Sequence, residues 1–109
     1  MGDVAMALDR TFRALADPNR RAILSAMRHQ RRAVGEIAGA LGLSQQVVSH
    51  HLKVLDAAGL VTGLRSGTRH LFVVRDEGLA VGREFFDDFW RDRLEALKLA
   101  VESSTGNDG

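Results

Sequence analysis

Apolar residues recur at helical spacing through the first part of the chain. Between residues 3 and 16 they follow one another at steps of four and three, which predicts an amphipathic helix. These residues are Leu8, Phe12 and Leu15. Asp17 and Pro18 suit the N-cap and the first position of a second helix, which is predicted to end near His29. The chain is therefore predicted to begin with two helices that share one core.

Residues 34–61 have the pattern of two short helices separated by a glycine turn. Ile37 and Leu41 lie on one face of the first helix, and Gly42 suits a left-handed turn because it has no Cβ. Ser44 is a good N-cap for the second helix. The apolar stripe of that helix consists of Val48, Leu52 and Leu55. This pattern is typical of a helix-turn-helix, although an ordinary corner between two packed helices also has it.

The opposite face of the second helix carries hydrogen-bonding groups and no acid. It consists of Gln46, Ser49, His50 and Lys53. A glutamine can read adenine through two hydrogen bonds, and a serine can contact either kind of base pair. A lysine ammonium neutralises a phosphate. We therefore predict that this helix enters the major groove of duplex DNA.

Two runs rich in β-branched and apolar residues follow at 60–65 and 69–74. Ser66, Gly67 and Thr68 between them predict a tight turn, and hence a β-hairpin with Arg65 and Arg69 beside its tip. A basic hairpin directly after a recognition helix is typical of the wing of a winged helix. Its arginines can reach a phosphate or a narrow minor groove.

The last helix is predicted over residues 76–103, with an apolar arc wider than one packing surface needs. Such an arc belongs either to the centre of a core or to an interface between copies of the chain. Aromatic residues are enriched at interface centres, so we predict a homodimer. Its interface residues are predicted to be Phe86, Phe89, Trp90, Leu94 and Leu97. Residues 103–109 are small and polar, which predicts a disordered tail after a single domain over residues 1–102.

Composition and charge narrow the class of protein. A chain of 109 residues without cysteine suits one domain without disulfides or thiolate metal sites. No apolar run reaches membrane-spanning length, so we expect a cytoplasmic protein. The net charge of +1 divides unevenly: residues 1–75 hold eleven basic and five acidic residues, a net of +6, and residues 76–109 hold four and nine, a net of −5. The basic part suits a polyanion. No catalytic grouping or phosphate-binding loop stands out, so we predict no enzyme and no cofactor.

Taken together, the segments resemble the ArsR/SmtB family of bacterial winged-helix repressors. The resemblance rests on LADPNRRAIL at 15–24, LGLSQQVVSHHLKVLDAAGLV at 41–61, RSGTRHLFVV at 65–74 and FFDDFWRDRLEALK at 85–98. It implies a mainly α fold with a small β-hairpin, a winged helix-turn-helix in the order of four helices, two strands and a helix. It also implies a homodimer that represses transcription by occluding promoters at palindromic operators. Many members of the family release DNA when a ligand binds, and the resemblance leaves open whether this chain has such an inducer. The implied DNA contacts are Ser44, Gln45, Gln46, Ser49, His50 and Lys53, with Arg65, Thr68 and Arg69 from the wing.

The chain departs from the metal-sensing members of that family. It has no cysteine, and its last helix offers carboxylates but no histidine, a donor set that does not suit zinc or nickel. His50 and His51 are adjacent, so on a helix they point about 100° apart and cannot share one ion. We therefore predict no metal site. A winged helix that binds a protein instead of DNA remains the alternative function.

Overall fold

A computed structural model describes residues 2–106, with side chains described for residues 2–104. The helices in this part of the chain are α1 (Gly2–Leu15), α2 (Pro18–Ala26), α3 (Val34–Leu41), α4 (Gln45–Ala57) and α5 (Asp76–Gly106). The strands are β1 (Arg32–Ala33), β2 (Val61–Ser66) and β3 (Arg69–Val74). The predicted winged helix-turn-helix is confirmed, and β1 is the element that the sequence did not predict.

The core lies where α2, α3 and α4 meet the start of β2. Its fully buried members include Ile23, Met27, Ile37, Val48, Leu52, Leu55, Leu60 and Val61. The predicted stripe of α4 is therefore confirmed as its inner face. Burying a side chain of this size stabilises the fold by about 1.5–3 kcal/mol relative to leaving it exposed. This packing fixes which face of α4 points outward.

The wing is part of a three-stranded antiparallel sheet with the strand order β1-β3-β2. Val61 pairs with Val74 at its base, and Ser66 pairs with Arg69 at its tip. The turn residue Gly67 has a φ of +64°, a left-handed conformation that glycine adopts without strain. On the other side of β3, Arg32 pairs with Phe72. The predicted two-stranded hairpin is therefore corrected to a sheet of three strands. The sequence did not predict β1 because two residues are too few to form a periodic pattern.

Helix α2 ends at Ala26, three residues before the predicted end at His29. The Nε of Arg32 donates to the carbonyl oxygen of Ala26 at 2.7 Å. Met27 is already buried in the core at this point. A side chain from β1 thus satisfies a terminal carbonyl that a continuing helix would have used.

Two arginines in the first turn of α2 bind the C-terminal end of α1. The Nε of Arg20 donates to the carbonyl of Ala14 at 2.7 Å, and Nη1 of Arg21 donates to that of Leu15, also at 2.7 Å. These carbonyls have no partner within their own helix. The arginines therefore fix the corner between α1 and α2.

Helix α5 starts against the body of the protein and then leaves it. The Phe12 ring on α1 meets Phe85 and Phe86 edge-on, with ring centroids 5.6 and 5.8 Å apart. Every residue from Asp88 to Ser104 is exposed. The helix continues to Gly106, so residues 103–106 are helical where the sequence predicted a disordered tail, and residues 107–109 lie outside the described residues. In the part of the chain that the structure describes, no helix is long and apolar enough to cross a membrane.

Candidate nucleic-acid interface

The turn between α3 and α4 sets the start of the recognition helix. Gly42 has a φ of +66°, and its backbone N–H bonds to the carbonyl of Ala38. Ser44 is the N-cap, and its Oγ accepts the backbone N–H of Val47 at 3.1 Å. Both features were predicted from local sequence. They hold α4 at a fixed angle to α3, which is the geometry of a helix-turn-helix.

The outward face of α4 carries most of the side chains predicted to contact DNA. Gln46, His50 and Lys53 are exposed, and Ser49 is half-buried. Gln45 is exposed too, but its amide lies against α3, because a Cβ placed on Gly35 would be 3.5 Å from Nε2 of Gln45. Gln46 is therefore the better placed of the two glutamines to reach outward.

The two adjacent histidines of α4 lie in different environments. His50 is exposed, whereas His51 is only 8% exposed and lies on the buried side of α4. Nδ1 of His51 lies 3.5 Å from Nη1 of Arg20, in a contact whose donor depends on the tautomer of the ring. His51 thus joins α4 to the corner between α1 and α2, and His50 remains on the outward face.

The wing brings three more predicted residues to the surface, and one of them is already paired. Arg65, Thr68 and Arg69 are all exposed. Nη2 of Arg69 donates to Oε1 of Glu36 on α3 at 2.8 Å. The same oxygen accepts the backbone N–H of Ala33 at 2.9 Å. The Ala33 hydrogen bond, together with the charges of Arg69 and Arg32, lowers the pKa of Glu36 below its usual value.

A cleft of about 310 Å³ separates α4 from the wing, and we call it the helix–wing cleft. Its lining residues are Val34, Ser49, Leu52, Lys53, Asp56, His70 and Phe72. His70 and Phe72 were not predicted as part of the interface. Their alternation on β3 was visible in the sequence, but the contact with α4 depends on how the wing packs.

The helix-turn-helix segment is similar in sequence to known bacterial regulators. The model of bacterial regulatory proteins of the arsR family matches residues 17–62, from the N-cap of α2 into β2. The chain is 42% identical over 100 residues to the HTH-type transcriptional regulator Rv2034 of Mycobacterium tuberculosis, and the match covers 92% of each chain. The chain belongs to the ArsR family.

Two further similarities agree with this assignment. The HTH-type transcriptional repressor SmtB of Mycobacterium tuberculosis is 45% identical over 78 residues, which cover 72% of this chain and 58% of that repressor. The homodimeric winged helix-turn-helix DNA-binding domain of Mb0332 from Mycobacterium bovis is 30% identical, with a TM-score of 0.68 over 86% of this chain and 87% of that domain. The predicted DNA-binding transcriptional regulator of the ArsR family is confirmed.

Outside the helix-turn-helix, this ArsR-family chain exposes a large apolar surface on α5. Phe86, Phe89, Trp90, Leu94 and Leu97, the predicted interface residues, are each between 53% and 64% exposed. The acidic residues of α5 form local ion pairs, such as Arg83 with Asp87 at 3.4 Å and Arg91 with Asp88 at 3.6 Å. Among the described residues, no three histidine, aspartate or glutamate side chains lie close enough together to hold a metal ion.

Proposed function

We propose that this ArsR-family regulator is a homodimeric repressor that binds a palindromic operator and occludes the promoter. The observation that carries the proposal is the exposed, acid-free face of α4 from Gln46 to Lys53, held outward by a fully buried stripe. In a two-fold dimer, two such helices enter successive major grooves about 34 Å apart. Bound there, the protein excludes other proteins from the same DNA.

The residues of the interface divide into base-reading and backbone-binding groups. Gln46, near the start of α4, is assigned to the bases, since the N-terminal part of a recognition helix contacts base edges. His50 follows on the same exposed face. Half-buried Ser49 lines the helix–wing cleft with Lys53 and is assigned to a backbone phosphate. The hydroxyl oxygen of Ser44 caps α4 as an acceptor, and its O–H is assigned as a donor to a backbone phosphate. The other predicted contacts, assigned to the backbone, are Gln45, Lys53, Arg65, Thr68 and Arg69.

The exposed apolar arc of α5 is proposed as the dimer interface. Large exposed apolar patches mark interaction sites, and aromatic residues concentrate at interface centres. The homodimeric Mb0332 domain, which shares the fold, supports the same assembly. We propose that the protein acts in the cytoplasm on operator DNA, without catalytic activity.

Genomic footprinting with the purified protein tests this function. We expect discrete protected palindromes whose half-sites are one helical turn apart, and sedimentation should show two chains on each site. A scrambled duplex of equal length is the control. A footprint without discrete sites contradicts the regulator, and one chain per site contradicts the dimer. If the winged helix binds protein instead, duplex affinity will be absent even at low salt.

A further inference from the structure

The helix–wing cleft opens on the same face as the proposed DNA contacts. Ser49 and Lys53 of α4 line it, and both belong to the proposed interface. Its apolar lining consists of Val34, Leu52 and Phe72. His70 contributes an imidazole from the opposite, wing side. Three groups that can donate hydrogen bonds, a hydroxyl, an ammonium and an imidazole, therefore line one apolar cleft.

Gly63 on β2 has no side chain, and this leaves room for the imidazole of His70. The imidazole packs on the Phe72 ring, with ring centroids 4.6 Å apart and an angle of 39° between the planes. It also covers Gly63, where an added Cβ would lie 2.5 Å from Nε2 of His70. Gly63 is not among the glycines with positive φ, so the backbone alone does not require glycine there. The space above Gly63 accommodates the imidazole.

We propose that the helix–wing cleft binds a phosphate of the DNA backbone, and that His70 donates a hydrogen bond to it beside Ser49 and Lys53. The inference rests on the proposed function, because it requires duplex DNA on the α4 face. A phosphodiester accepts hydrogen bonds, which matches the three donors, and its deoxyribose suits the apolar lining. Contacts of this kind fix the register of a protein on the duplex.

The charges around the cleft indicate which end the phosphate occupies. Asp56 is the carboxylate among the lining residues, and it follows Lys53 by one turn of α4. Ser49 precedes Lys53 by one turn, on the side of Gln46. Around His70, Arg65 is its cross-strand partner on β2, and Arg69 is its neighbour on β3. The phosphate is therefore assigned to the end near Ser49 and Lys53, away from Asp56.

Four variants test the role of His70 through duplex affinity measured over a salt series, on operator and on scrambled DNA. His70→Ala should weaken both duplexes about tenfold to a hundredfold, because one hydrogen bond to a charged group is lost. Gly63→Ala should produce the same loss by displacing the imidazole, and the Gly63→Ala/His70→Ala double variant should lose no more than either single variant. His70→Gln, which keeps a donor, should retain most of the affinity. Thermal unfolding must show that each variant is folded at the assay temperature.

The control for the glycine change is Gly39→Ala on α3, where an added Cβ would meet nothing within 4 Å. A folded His70→Ala protein whose affinity is within twofold of wild type overturns the role of His70. A loss confined to operator DNA also overturns it, because that pattern indicates base reading. If the wild-type protein binds no duplex at all, the proposed function fails, and this inference fails with it.

A free phosphate ion is the other source of the same chemistry. Inorganic phosphate is therefore titrated into the wild-type complex, with chloride at equal ionic strength as the control. We expect no displacement of DNA beyond that caused by chloride. Phosphate that binds the wild-type complex without displacing DNA, and does not bind His70→Ala, would show a small-anion site apart from the duplex contact and overturn the assignment to backbone phosphate.

Discussion

Helices α4 and α5 carry apolar stripes of the same spacing, but the stripe of α4 is buried and the stripe of α5 is exposed. Val48, Leu52 and Leu55 of α4 are at most 1% exposed. Trp90, Leu94 and Leu97 of α5, at the same steps of four and three, are between 60% and 64% exposed. Periodicity predicts a helix with an apolar face in both cases. It does not indicate whether the surface that covers this face lies in the same chain.

The difference follows from what surrounds each helix. Helix α4 lies between α2, α3 and the start of β2, whose apolar side chains come from residues 23–61. Helix α5 contacts α1 through Phe85 and Phe86, and beyond Asp88 it has moved away from the body. A stripe that the rest of the chain covers contributes to folding, and one that remains exposed is available for a second copy. Substitutions in the two stripes should therefore change different measured quantities.

Leu52→Ala on α4 should produce the largest effect, a loss of about 2–5 kcal/mol in the free energy of unfolding. The substitution leaves a cavity in a core that is fully buried within one chain. Urea unfolding checks this, and the loss should be the same at low and high protein concentration. A loss that vanished on dilution would indicate that the α4 stripe is also part of the interface between copies.

Trp90→Ala on α5 should instead weaken the dimer by about 2 kcal/mol or more, roughly a thirtyfold rise in the dimer Kd. Sedimentation over a concentration series measures this change. Leu99→Ala is the matched control, because Leu99 is also 64% exposed but lies on the opposite face of the helix from Trp90. Equal dimer affinities for both variants would argue against the proposed interface.

Local rules explain why the helix-turn-helix could be read from the sequence. Gly42 after α3 and Gly59 after α4 both have positive φ, and Ser44 caps the start of α4; each of these signals acts within a few residues. In contrast, β1 exists because Arg32 and Ala33 pair with residues about forty positions later. Two features of the interface also depend on contacts between distant parts of the chain and could not be predicted from local sequence. They are the Glu36–Arg69 ion pair and the position of His70 in the helix–wing cleft.

Within the α4 face, Gln46 and Lys53 should separate base reading from phosphate binding. Gln46→Ala should cost about 1–3 kcal/mol on operator DNA, relax the preference at one or two symmetric positions and leave the salt slope unchanged. Lys53→Ala should weaken operator and scrambled DNA alike and lower the salt slope by about one. Affinity on both duplexes over a salt series measures these effects. The assignment of Gln46 to the bases would be wrong if Gln46→Ala weakened both duplexes equally.

We expect the smallest effect for Glu36 on α3, because Arg69 of the wing is paired with Glu36 and is also proposed to bind a DNA phosphate. Because its pKa is lowered on folding, the Glu36 carboxylate stabilises the fold above its ordinary pKa, and this contribution is lost as the pH falls through the lowered value. At neutral pH it is therefore charged and holds Arg69 at 2.8 Å. Removing this charge should release Arg69 to the duplex and remove a repulsion from the phosphates.

Glu36→Gln should accordingly raise affinity for operator and scrambled DNA by about twofold to fivefold, the range expected for an exposed ion pair. The amide oxygen of glutamine can still accept the Ala33 N–H, so the start of α3 should be preserved. The gain should shrink in an Arg69→Ala background, because part of it depends on that guanidinium. A loss of affinity in Glu36→Gln would mean the reverse relation, in which Glu36 holds Arg69 in position for the phosphate.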